Sequence, residues 1–145
     1  MKHLRRRNKA YRPKHVHVPV MPELQQEFAY SGHGALAALR LAPNPDAFEQ
    51  LAAIFNVVYL GLAAKGDKSL ILESGMRAMQ DISVRADRTG TVGLARHELP
   101  PIRNAVLECE KLIRALDIVT LHNARVKSLA LAQQSRAQNR QGASA

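Results

Sequence analysis

Between Phe48 and Ala64 the chain reads FEQLAAIFNVVYLGLAA, with apolar residues at almost every position after Gln50. On a helix that density means burial on all sides rather than one wet face. The start is well marked. Asn44 suits the cap, Pro45 the first helical position, and Asp46 and Glu49 the positive end of the helix dipole, while Gly66 supplies a stop. A central helix over 45–64 follows. The apolar run is shorter than the roughly 20 residues a bilayer demands and carries Asn56 and Gly61, so the pattern predicts a core helix and no membrane contact.

The flanking segments show one-sided patterns. Leu72, Met76, Met79, Ile82 and Ala86 recur at helical spacing opposite Glu73, Arg77, Asp81, Arg85 and Arg88, which predicts an amphipathic helix over 68–87 opened by Asp67 or Ser69. Gly75 lies on its apolar side, where the missing side chain lets another backbone come near. Thr89–Gly93 breaks the pattern. Leu99, Ile102, Val106, Cys109, Ile113 and Leu116 then alternate steps of three and four, and the stripe drifts round to Leu112, Val119, Val126 and Leu129. One long last helix near 100–135 is predicted, much of it in excess of what the central helix can cover. Before the central helix, Glu23–Tyr30 and Ala35–Leu41 read as two short helices separated by a Gly32-His33-Gly34 hinge.

Composition supports helices. Aromatic residues make up 4% of the chain and Trp is absent, so the core is built from Leu, Ala, Val, Ile and Met. The expected fold class is all-α: a small helical bundle over 23–132 with a long C-terminal helix, an extended, disordered basic arm over 1–22, and a disordered polar tail over 133–145.

Charge changes the picture more than composition does. The formal net charge is +9, and residues 1–22 hold seven Lys or Arg with no acid. Residues 23–117 hold ten basic and twelve acidic residues, and residues 118–145 hold four basic and none acidic. A near-neutral body thus carries two cationic ends, which points to an acidic partner. In the arm, Lys2, Arg5, Arg6, Arg7, Lys9, Arg12 and Lys14 suit phosphates, and Tyr11 suits a base to stack on. A solubilising role for the same charges stands beside that reading. Prolines at 13, 19 and 22 forbid a continuous helix there, and His15, His17 and the valines between prolines are placed to lie along the body as an extended strap.

Candidate chemistry is otherwise sparse. His3, His15 and His17 lack Cys or carboxylate companions at metal-binding spacing, so neither a metal nor any other cofactor is expected. Cys109, the single cysteine, falls in an apolar stripe and reads as a core residue in a reducing compartment. Asn56 reads as a buried amide that fixes helix register. Glu108 and Glu110 diverge on a helix, which leaves no carboxylate pair for acid–base work and no catalytic constellation. The short VHVPVMP stretch does not make a signal peptide, and a cytoplasmic location is expected.

The arm segment RRRNKAYRPK, followed by LAAIFNVVYLGL, a Gly-Asp turn, an amphipathic helix, a Thr-Gly loop and a long final helix, resembles small uncharacterised proteins of β-proteobacterial prophages and mobile elements. That resemblance implies a genomic setting and carries no site residue with it. The expected function is a non-enzymatic accessory protein whose arm contacts DNA or RNA independently of sequence, since no helix-turn-helix with a basic recognition helix can be delimited. The alternative is an interaction module directed at a host protein complex, for instance a defence or transcription complex, with self-association into a homo-oligomer through Leu112, Val119 and Val126 as one form of it.

Overall fold

Residues 17–143 are described by the computed structural model, and helices carry most of them: α1 (Pro22–Leu41), α2 (Pro45–Ala64), α3 (Leu70–Thr89), α4 (Leu99–Ala115) and the long α5 (Ile118–Ala143). The chain is an all-α bundle. No strand is present among the described residues, only an isolated antiparallel bridge between Pro19 and Asp117. The caps act where their sequence positions suggest. Asn44 accepts from the Ala47 amide at 3.1 Å, Ser69 accepts from Leu72 at 3.2 Å, and Gly90 closes α3 in the left-handed region at φ 74°.

α2 is the hub, packing against each of the other four helices. Leu51, Phe55 and Val58 on it are almost wholly buried, and they meet Leu36 and Leu39 of α1, Leu72 and Ile82 of α3, and Ile102 and Ile113 of α4 in one core. Burying side chains of this kind stabilises a fold by about 1.5–3 kcal/mol each. By length and composition α2 alone among the described helices could cross a membrane, yet it serves here as a core helix. It is not buried all round. Glu49, Ala53, Asn56, Tyr59 and Ala63 face outward, so the expectation of complete burial, including that of Asn56, is corrected.

Three further expectations change. α1 is one helix rather than two, because Gly32 is used for close packing instead of bending: a Cβ there would stand 3.3 Å from Val106 Cγ1 and 3.8 Å from Ile54 Cδ1. The predicted last helix is two. Leu116 turns extended (φ −81°, ψ 146°), and Asp117 starts α5 by accepting the Val119 and Thr120 amides at 3.2 and 3.3 Å. The break resets the apolar phase. A continuous helix would aim Thr120 and Asn123 at the core, whereas α5 buries Leu121 and Ala124. Finally, residues 133–143, expected as a disordered tail, continue α5 as an exposed helix.

Gly75 explains the tight fit of α3 on α4. A Cβ at this position would collide with the Ala105 side chain and approach the Pro101 carbonyl oxygen to 3.1 Å. Gly75→Ala should therefore destabilise the protein by about 1–3 kcal/mol, despite the roughly 1 kcal/mol that alanine gains in helix propensity. Denaturant unfolding checks this, and a stabilised variant would show that the two helices do not meet so closely.

Candidate functional site

The cations and Tyr11 proposed for nucleic-acid contact, Lys2 to Lys14, lie outside the described residues. What the structure does define is where the arm joins the body. Residues 17–20 form the strap that the Val-Pro spacing suggests. The Val18 amide donates to Asp117 Oδ1 at 2.7 Å, the Ile118 amide donates to the Val18 carbonyl at 2.8 Å, and Val20 is buried. Gln25 Nε2 donates to the Val20 carbonyl at 2.8 Å and closes the strap onto α1. The final residues of the predicted 1–22 arm thus belong to the body, held at the joint between α4 and α5.

That joint depends on a charge placed inside. Asp117 is 1% exposed, and its two carboxylate oxygens take amides from the strap and from the first turn of α5. Charge-assisted bonds at a helix N-terminus are strong enough to hold a carboxylate that burial would otherwise penalise. The role of Asp117 was missed in the sequence, although a lone Asp before a shift in apolar phase marks a helix start.

A second buried acid was also missed. Glu98 is 1% exposed and meets Arg85, whose Nη1 and Nη2 donate to Oε1 and Oε2 at 2.5 and 2.9 Å. Arg85 Nη2 also donates to the Gly93 carbonyl at 2.8 Å, and the Ala95 amide donates to Glu98 Oε2 at 2.9 Å, so this fork pins the α3–α4 loop. Burial pushes the Glu98 carboxyl up, but the hydrogen bonds from Arg85 and Ala95, with the nearby charges of Arg85 and His97, outweigh it and hold the group below its ordinary value. The Glu98 hydrogen bond in turn raises Arg85 against its own desolvation. The pair is structural: it faces a loop rather than a cavity.

The remaining candidates are scattered. Leu112 packs against the core, while Val119 and Val126 are 52% and 54% exposed on the outward side of α5, so the three do not form one surface. Cys109 is buried in α4, and desolvation, with the Glu108 charge, pushes its thiol up to about 12, which leaves it protonated and unreactive at neutral pH. Asn56 lines a cleft of about 790 Å³ between α2 and the outer half of α5, together with Phe48, Tyr59, Leu60, Met76 and Leu131. Arg136 Nη2 reaches Glu49 Oε2 across its mouth at 3.9 Å, an exposed contact of little energetic weight. His33 Nε2 and Glu110 Oε2 stand 3.1 Å apart on the surface. Among the described residues, no group of three or more His, Cys, Asp or Glu is placed to hold a metal. Compared with protein-family models, curated proteins and solved structures, the chain matches none.

The Glu98 pair carries a prediction about pH. Its carboxyl is depressed, so the stability it contributes is complete above the usual carboxylate value of 4.5 and is lost as pH falls through the lower folded value. Arg85→Ala should cost about 3–5 kcal/mol at pH 7, because it strands a buried carboxylate. Glu98→Gln should cost less, since Arg85 is 29% exposed and can turn to water. Thermal melts between pH 3 and pH 7 check both. A Glu98→Gln protein that loses stability on acidification as steeply as the parent would contradict the assignment.

Proposed function

We propose that this chain is a non-enzymatic nucleic-acid-contacting protein of the phage or mobile-element accessory kind, and that its basic arm supplies the contact. One observation carries the reading: the first 22 residues hold seven Lys or Arg and no acid, on a body whose core sequence is nearly neutral. Cations of this density release counterions from a phosphate backbone, and that gain is independent of base sequence. Tyr11 is available for stacking on an unpaired base. The anchored strap adds support, since Val18 and Val20 give the arm a fixed origin on a folded platform.

The test is a truncation that respects the strap. Removing residues 1–14 takes all seven arm cations and leaves Val18–Val20 in place. The full chain should bind DNA or RNA with a log–log salt slope approaching about −6, so that affinity falls about a thousandfold or more between 50 and 200 mM salt. The truncated chain should bind far more weakly and with a much flatter slope. Equal affinity and slope for the two chains would sink the proposal.

The second reading, a protein-interaction module, is favoured by the α2–α5 cleft. Tyr59 and Leu131 are 39% and 48% exposed there, beside the outward stripe of α2. Self-association is its simplest form, and mass in solution tests it: a strict monomer at high concentration argues against it.

A further inference from the structure

The strap that leads out of the cationic arm and the start of α5, which leads into the second cationic segment, are far apart in sequence and meet in the fold. The strap pairs with Asp117 and Ile118, so the arm starts where α5 starts. The pairing is antiparallel, which means that the chain traced back from Val20 to His17 runs in the same sense as the chain entering α5. α5 itself carries Arg125, Lys127, Arg136 and Arg140 and no acid.

The surface beside this joint is equipped for phosphate. Lys65, at the end of α2, donates from Nζ to the Ala115 carbonyl at 3.2 Å, two residues before Asp117. Lys127 stands over the same end of α2, where Thr120 and Asn123 join it in lining a recess of about 280 Å³ against Leu60, Ala63 and Ala64. Hydroxyl, amide and ammonium donors of this kind are the usual partners of phosphate oxygens. Arg114 adds a third cation and shares Glu110 at 3.9 Å. The acids nearby are Asp117, which is buried and turned to the strap and α5, Glu110, which is shared with Arg114 and His33, and Asp67 beyond Gly66.

We propose that the recess between the C-terminal end of α2 and the first turns of α5, lined by Thr120, Asn123 and Lys127 and flanked by Lys65, is a second phosphate-contacting site that holds the same nucleic-acid backbone as the arm. This rests on the nucleic-acid reading above and extends it from the arm to the folded body. Chain length links the two. Three residue steps separate Lys14 from His17, a span of at most about 10 Å, which is about one Debye length at physiological salt. The last arm cation is therefore tethered within about one Debye length of the strap, beside the start of α5. Once the arm is bound, contact at the recess is an intramolecular event with a high effective concentration.

Two double neutralisations of equal charge separate this from a general charge effect. Lys65→Gln with Lys127→Gln removes two cations at the joint. Arg88→Gln with Arg96→Gln removes two exposed cations at the far end of α4, about 25 Å away along that helix. Titrations use a 30-nucleotide single strand and a 30-base-pair duplex, with thermal melts confirming that each variant folds. The joint variant should lower affinity about tenfold and take about 2 off the magnitude of the salt slope, and Lys127→Gln alone about 1, while the far pair leaves the slope unchanged. Equal effects from the two pairs, or none from the joint pair, would overturn the site. If the full chain binds and the 1–14 truncation abolishes binding while the joint pair behaves like the far pair, only this inference fails. If the full chain binds neither probe, the nucleic-acid reading fails with it.

Discussion

The carboxylate of Asp117 is the constraint through which the rest of the architecture is joined. A buried carboxylate is tolerated only when donors fill its oxygens, and here they come from two segments, the first turn of α5 and the strap, whose Val18 lies 99 residues from Asp117. The same group therefore starts α5 and fixes the N-terminal segment. Neither can move without exposing the other to loss: freeing the strap leaves Oδ1 without the Val18 amide, and shifting α5 leaves Oδ2 without its helix-start amides. Rigidity at this point comes from mutual satisfaction of polar groups together with the burial of Val20, Leu116 and Leu121.

Beneath the joint, α2 supplies the surface on which it sits. A Cβ at Gly61 would approach Leu116 Cδ1 to 3.1 Å and Ala124 Cβ to 4.0 Å, so the absent side chain lets both the joint and α5 settle close to the helix. At this end α2 is well covered. Towards its N-terminal half the covering thins, because α5 buries nothing after Ala124 and opens a cleft along Glu49, Ala52 and Asn56. The bundle is thus tight where the strap meets the start of α5 and looser at the opposite end of α2. At the far end of α4, the Glu98–Arg85 fork pins the α3–α4 loop.

How much of this the sequence disclosed follows the range of each signal. The placing of α2 and α3, the Asn44 cap, Ser69 as one of two cap candidates, and the close approach at Gly75 rest on local patterns, and they were legible. The strap was legible too, because prolines and alternating valines exclude a helix. Buried acids were not. Asp117 and Glu98 look like ordinary surface residues in a list of charges, and only the tertiary donors, Val18 and Arg85, make their burial tolerable. The α4–α5 break was visible as a phase shift after Leu116, but a drifting stripe and a capped break predict the same letters until the facing helix is known. Asn56 misled for the opposite reason. Density of apolar neighbours on α2 implied burial, yet the five helices leave one face of α2 open. Of the proposed binding residues, the arm cations were read from charge alone, while Lys65 and Lys127 are set at the same end of α2 only through packing of α5 on α2.

On the proposed nucleic-acid reading, charge placement explains why a nearly neutral body suits a basic arm. A free cationic peptide loses conformational entropy along its whole length when it follows a phosphate backbone. Anchoring one end at residues 18–20 removes part of that loss in advance, because the strap itself is already ordered against the body. A strongly cationic body would attract the same polyanion to every face and forfeit that benefit. With twelve acids against ten bases between residues 23 and 117, the body instead leaves most of the attraction to the flanking segments, and the fold sets the strap beside the start of α5.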